Sequence, residues 1–162
     1  MQTPIFPGRF QPFHNGHLMV IQGMMKVFES AVIVICESAE KNTKAEPFSV
    51  DERREMISAA LLSADIMDAT IVSVKDSESH ENWATHIIDA AGNPAEPVVW
   101  SGDESIRAIF EKKGVATKKI VPVPGIVGAD IRAMMERGDR TWRSKVPAGA
   151  MDVIEGILEK KR

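Results

Sequence analysis

Residues 31–36, Ala-Val-Ile-Val-Ile-Cys, form an unbroken apolar run. It is far too short to span a bilayer, which takes about 20 apolar residues. It reads as a strand buried on both faces, the kind found in parallel sheets. Around it the chain alternates. Apolar runs at Thr3–Pro7, Thr70–Val74, Pro97–Trp100 and Lys119–Val123 are separated by helical spacing. Leu18, Ile21, Met25 and Phe28 mark one helix, and Ile106, Ile109 and Phe110 another. Ser49-Val-Asp-Glu52 is a capping box that opens a helix bearing Met56, Ile57, Ala60 and Leu61. Helical pattern resumes at Trp83 and stops at Gly92-Asn93-Pro94. Two further helices are predicted, at Gly128–Met135 and from Ala148 to about Glu159. Such alternation predicts an α/β fold, a parallel sheet with helices on both faces. Pro4 and Pro7 make the first run a poor central strand on propensity.

With 162 residues and no repeat or dividing linker, the chain reads as one domain over 1–162, with a C-terminal helical part from about 128 to 162. The net charge of −3 argues against broad binding to nucleic acid or anionic membrane. A single cysteine, Cys36, excludes an internal disulfide framework and a multi-cysteine metal site, and its apolar setting suggests a buried thiol. Pro4, Pro7 and Arg9 interrupt the N-terminal stretch that a signal peptide would need to be apolar, so a soluble cytoplasmic protein is expected.

In parallel α/β sheets ligands bind at the carboxyl ends of the strands. That draws attention to the loop after the first strand, Gly8-Arg9-Phe10-Gln11-Pro12-Phe13-His14-Asn15-Gly16-His17. Gly8 lets backbone approach a ligand, and Gly16 permits close approach at a helix start. His14 and His17 then stand at a helix N-terminus whose first N–H groups lack partners. Two imidazoles, an arginine and unpaired N–H groups suit a phosphate. The competing readings are a zinc pair, for which no third ligand is evident, and two structural histidines. Neither a Gly-x-x-x-x-Gly-Lys loop nor a Gly-x-Gly-x-x-Gly fingerprint is present.

His14-Asn15-Gly16-His17 resembles the His-x-Gly-His signature of the nucleotidylyltransferase superfamily. The longer Gly8-to-His17 stretch is similar to the archaeal-type nicotinamide mononucleotide (NMN) adenylyltransferases. The likeness continues in Pro47-Phe48-Ser49-Val50-Asp51-Glu52-Arg53, in Asp76 to Trp83, in Ser101-Gly102-Asp103, and in Gly128-Ala129-Asp130-Ile131-Arg132 with Trp142 and Val146-Pro147. It implies a Rossmann-like fold and transfer of AMP from ATP to NMN, giving NAD and pyrophosphate. It implies catalysis by His14, His17 and Arg132. ATP would be bound by Gly8, Arg9, Phe10, His14, Gly16, His17, Ser101, Gly102, Asp103, Gly128 and Arg132. NMN would be bound by Arg9, Arg53, Asp76 and Trp83, with Trp83 stacked on the nicotinamide ring. Mg²⁺ would ride mainly on the ATP phosphates, with no metal-binding residues of its own. Partners would be ATP, NMN and NAD, with neither nucleic acid nor membrane, and a homo-oligomer is left open.

Each residue has a plainer reading. Arg53 can be a solvated first-turn residue, Trp83 a core aromatic, Asp103 a helix cap and Arg132 an exposed helical arginine. Lys41 and Lys44 can close over ATP or merely solubilise the loop. The chain also departs from the family: Val127 and Ala129 stand where it carries a serine and a threonine, and Asp103 where it carries an asparagine. Weaker ATP handling follows from the lost hydroxyls. Two alternatives remain beside NMN transfer, a relative with another acceptor such as nicotinate mononucleotide, and a nucleotide-binding sensor without catalysis.

Overall fold

Four of the five predicted strands form on their apolar runs. The computed structural model describes residues 1–38 and 43–161. Within it β1 (Thr3–Gly8), β2 (Ala31–Glu37), β3 (Ala69–Lys75), β4 (Pro97–Ser101) and β5 (Ala116–Lys119) make one parallel sheet in the order β3-β2-β1-β4-β5. The helices are α1 (Asn15–Met25), α2 (Val50–Ser63), α3 (His80–Ala90), α4 (Glu104–Lys112), α5 (Gly128–Glu136) and α6 (Ala148–Lys160), with a 3₁₀ turn at Arg140–Lys145. The architecture is Rossmann-like. None of the described helices is long and apolar enough to cross a membrane.

The last strand differs from expectation. β5 is Ala116–Lys119, not Lys119–Val123, and pairs Val98 with Ala116 through Ser101 with Lys119. An edge strand bonds through its backbone on one side, so Thr117, Lys118 and Lys119 are tolerated there, and charge protects an edge. The apolar residues that attracted the prediction begin at Ile120, whose N–H still reaches the Ser101 carbonyl at 3.1 Å.

β1 is the central strand despite its prolines. Its ladder with β4 covers Thr3 to Ile5, and its ladder with β2 starts at Ile5. The Thr3 N–H reaches the Glu96 carbonyl, on the β4 side, so alternation turns the nitrogens of Ile5 and Pro7 the same way. Pro7 thus lies beyond the β4 ladder, and Pro4 lies before the β2 ladder begins. Neither missing N–H removes a ladder bond.

The described chain divides into two compact units. The first comprises Met1–Arg9, Gly23–Ala39 and Asp68–Pro122, and holds the sheet with α3 and α4. Ile5, Val32, Val34, Cys36, Val74 and Val99 share one face and bury against Ala84 and Ile87 of α3 and Phe110 of α4. Each large apolar side chain removed from water there stabilises by about 1.5–3 kcal/mol. Cys36 is buried and forms no disulfide, being the one cysteine of the chain.

The second unit comprises Phe10–Gln22, Glu40–Met67 and Val123–Arg162. In it α2 packs on α6, and Met56, Ile57 and Ala60 of α2 and Ile154 and Ile157 of α6 are buried. The predicted capping box opens α2. The Glu52 N–H donates to Ser49 Oγ at 3.1 Å and the Ser49 N–H donates to Glu52 Oε1 at 2.9 Å. Lys41 lies outside the described residues.

Candidate functional site

In the first unit the chain order of the sheet reverses between β1 and β4, and at such a switch point the carboxyl ends open a crevice for a ligand. Gly8 ends β1 and is followed by Arg9, Asp76 follows β3, and Ser101 ends β4. Arg9 donates to Asp76 Oδ1 at 2.9 Å and to the Cys36 carbonyl at 3.4 Å. The Asp76 N–H is itself tied to the Glu37 carbonyl at 2.7 Å. Arg9, Asp76, Ser77, His80, Trp83 and Ser105 line a cavity of about 230 Å³. Trp83, in the first turn of α3, meets Phe110 with ring centroids 5.8 Å apart while also lining that cavity. The core and ligand readings of Trp83 are thus compatible.

Ser101 is buried, and its Oγ accepts the Asp103 N–H at 3.1 Å. Asp103 caps α4, accepting from the Ser105 hydroxyl at 2.6 Å and the Ser105 N–H at 2.8 Å. Those bonds, the hydroxyl first, hold its carboxyl below the ordinary range. Gly102 has the Ile120 carbonyl 3.4 Å from where a Cβ would stand. Three residues beside these were not singled out from the sequence. His80 and Ser105 line the Trp83 cavity, and Arg107 donates to the Ser101 carbonyl at 2.8 Å. Their only sequence signal was position, one helical turn or less from a residue already chosen.

In the second unit the His-x-Gly-His stretch forms the start of α1. The His14 carbonyl accepts the Leu18 N–H, which makes His14 the cap residue. The His14 N–H donates to His17 Nδ1 at 3.0 Å, and the His17 N–H donates to His14 Nδ1 at 3.3 Å. This is the reciprocal pattern of a capping box, with imidazoles in place of hydroxyl and carboxylate. The i, i+3 spacing of the signature is the spacing a capping box requires. Because each Nδ1 accepts, a neutral ring must carry its proton on Nε2. Each ring therefore presents an N–H donor. Burial lowers His14 to about 4, and burial, then the neighbouring His14, holds His17 well below the usual imidazole range. Both rings are neutral near pH 7.

Gly16 is required by that arrangement. A Cβ there would stand 2.9 Å from His14 Cε1 and 3.0 Å from His14 Nδ1. Phe10, buried at φ 52°, meets the His17 ring nearly at right angles with centroids 4.9 Å apart. Phe13 stacks on His17 at 5.5 Å. Gln11, also buried, clamps the Phe48 backbone: its Nε2 donates to the carbonyl at 2.8 Å and its Oε1 accepts the N–H at 3.0 Å. Arg132 in α5 donates to the Gln11 carbonyl at 2.9 Å, which ties that arginine to the histidine-bearing loop. Phe13 and Gln11 carry this packing, although sequence reasoning gave neither a role.

Arg53 is buried, with Nε donating to the Ser49 carbonyl at 3.2 Å, so it is not a solvated first-turn residue. Arg132 borders a cavity of about 290 Å³ with Lys44, Phe48 and Glu136, and Lys44 pairs with Glu136 at 3.0 Å. A Cβ at Gly128 would stand 3.3 Å from the Arg132 guanidinium. Val127, the cap residue of α5, makes no side-chain cap bond. Among the described residues no three His, Cys, Asp or Glu side chains are grouped so as to hold a metal ion.

Comparison with known proteins adds to this geometry. The cytidylyltransferase-like family profile matches residues 5–144. A nicotinamide-nucleotide adenylyltransferase of Methanolobus tindarius is 33% identical over 97% of this chain and 90% of its own length. Another, from Ignicoccus hospitalis, is 32% identical over 98% of this chain and 95% of its own. Among solved structures, a bifunctional NMN adenylyltransferase/ADP ribose pyrophosphatase from Francisella tularensis, complexed with AMP and a manganese ion, superposes with a TM-score of 0.84. Its identity is 19%, over 98% of this chain and 49% of that one, so this chain spans about half of it and the likeness is one of fold.

Proposed function

The chain belongs to the cytidylyltransferase-like family, and from that membership we propose that it transfers AMP from ATP to NMN, giving NAD and pyrophosphate. It is a nicotinamide-nucleotide adenylyltransferase acting in NAD synthesis. We take residues 1–162 as one catalytic domain, working in the cytoplasm, with a homo-oligomer allowed.

In this reading an oxygen of the NMN 5′-phosphate attacks the α-phosphorus of ATP. The new P–O bond forms as the bond to the oxygen bridging the α- and β-phosphorus breaks, and the electron pair leaves with pyrophosphate. Such a displacement needs alignment and charge stabilisation more than a covalent nucleophile. The observation that carries the assignment is the reciprocal histidine cap. It fixes the proton of each neutral ring on Nε2 at a helix N-terminus, and N–H donors there suit phosphate oxygens. His14 and His17 donate to the α- and β-phosphates as neutral groups, so positive charge has to come from elsewhere. Arg132, tied to the Gln11 carbonyl, supplies it to the departing pyrophosphate, and Gly8, Phe10, Gly16 and Gly128 keep the backbone close. Ser101, Gly102 and Asp103 serve the adenosine. Arg9, fixed by Asp76, serves the phosphates and NMN, and Trp83 offers its π face to the cationic pyridinium, a contact worth about 0.5–2 kcal/mol. Arg53 is buried and acts on the NMN side. A divalent cation, Mg²⁺ in this reading, enters with ATP as part of the substrate.

The test is an end-point reaction with ATP, Mg²⁺ and a panel of acceptors, read by chromatography for dinucleotide and pyrophosphate. NAD formed with NMN, and lost in a folded His17→Ala variant, is the expected result; undiminished turnover in that variant would remove His17 from the mechanism. Trp83→Ala should raise the KM for NMN and leave that for ATP near normal. The missing cap hydroxyl at Val127 favours one second reading, a nucleotide sensor. Binding of ATP or NAD by calorimetry with no product from any acceptor would select it.

A further inference from the structure

The one non-glycine residue of the first loop with a positive φ is Phe10, at 52°. The left-handed region disfavours residues with a Cβ, and glycine adopts it freely. A bulky aromatic held there, 1% exposed, marks a position where the ring itself is used. One neighbour that the ring meets is His17. Their centroids are 4.9 Å apart and their planes 76° from each other, while His14 stacks on His17 at 3.6 Å and Phe13 at 5.5 Å. Phe10 and Phe13 are themselves 5.8 Å apart. The imidazole of His17 is thus hemmed by three rings while its Nδ1 accepts the His14 N–H.

We propose that Phe10 is a positioning residue for the adenylyl transfer: its ring holds His17 in the rotamer that keeps Nδ1 on the His14 N–H and the proton on Nε2. This rests on the transferase reading for its catalytic half only. A ring turned by 180° about its Cβ–Cγ bond would withdraw Nδ1 from the His14 N–H, break that half of the reciprocal cap and aim the donor elsewhere. The wall of Phe10 opposes that turn, and its apolar ring beside His17 gives Nδ1 no substitute partner. The burial that holds His17 neutral agrees with this.

The experiment is nitrogen-15 NMR of the imidazoles in unliganded wild type, Phe10→Leu and Phe10→Met, beside steady-state kinetics of NAD formation. Both replacements are apolar and flexible but lack the flat ring, so one stands if the other fails to fold. In wild type the His17 Nδ1 signal is expected at the unprotonated position. In the variants it should move towards the average of two tautomers, with kcat falling about tenfold and the KM for ATP little changed, as misorientation of a bound group predicts. Tautomer signals identical to wild type in a folded variant would overturn the proposal. A moved signal with undiminished kcat would overturn its catalytic half. If wild type makes no NAD, the transferase reading fails, and the NMR comparison still decides what Phe10 does to His17.

Discussion

The imidazoles of His14 and His17 lie 13° from parallel with centroids 3.6 Å apart, each accepting the other residue's backbone N–H. Two cations at that separation would repel, and a proton on either Nδ1 would break a cap bond. Both effects work with burial to keep the pair neutral. Burial lowers His14 to about 4 in the folded chain, whereas an unfolded histidine titrates near 6.5. As pH falls from about 6.5 towards 4, the unfolded chain binds the proton first, so stability is lost over that window. The slope approaches about 1.4 kcal/mol per pH unit for each such histidine. Urea unfolding at a series of pH values should show this decline, and a flatter one in His14→Ala. A profile of equal slope in the two proteins would mean that carboxylates, not this pair, govern acid stability.

Gly16 gives a second handle on the same pair. Alanine would ordinarily gain up to about 1 kcal/mol over glycine within a helix. Here the new Cβ meets the His14 ring at 2.9 Å, so the ring must swing away from its cap position. Gly16→Ala should therefore retain a melting temperature within a few degrees of wild type, yet lose about tenfold or more in kcat. Normal turnover would show that the His14 ring tolerates displacement.

The crossing of α2 and α6 makes the opposite prediction for stability. At Gly149 a Cβ would overlap the Ala59 carbonyl oxygen and lie 2.6 Å from Ser63 Oγ, and the first of these is backbone that cannot step aside. Gly149→Ala should cost about 1–3 kcal/mol by forcing the helices apart. Gly156 lies in the same helix, and among the described residues no other element comes within 4 Å of its Cβ position, so Gly156→Ala should stabilise by up to about 1 kcal/mol. Urea midpoints of the two variants should fall on opposite sides of wild type.

These contrasts show where the sequence was informative. The apolar run 31–36 and the Ser49–Glu52 box announced their elements because local pattern and tertiary use coincide there. The strand at Ala116–Lys119 was missed because edge pairing is satisfied by backbone and leaves no apolar signature. The prolines of β1 misled on propensity because what matters is which side each absent N–H faces, and that depends on the two ladders. At the site, the His14–His17 spacing was legible, but its reciprocal cap, the Gln11 clamp on Phe48 and the Phe10 contact with His17 are facts of side-chain direction that a one-dimensional pattern does not carry.

Val127 is the departure most open to repair. It caps α5 with an extended backbone, φ −129° and ψ 123°, and its carbonyl already accepts the Ile131 N–H at 3.1 Å, yet its side chain makes no cap bond. Nearly half exposed at 48%, it would forfeit little burial on replacement. Val127→Ser places a hydroxyl where an N–H of the first turn can donate to it, which should raise stability by about 1 kcal/mol. If that helix start also meets the nucleotide's phosphates, the KM for ATP should fall in the same variant, because the hydroxyl can donate to an anionic oxygen when ATP is bound. Urea unfolding and ATP titrations of turnover separate the two effects. A stability gain with unchanged KM would confine residue 127 to helix capping and remove it from any account of ATP binding.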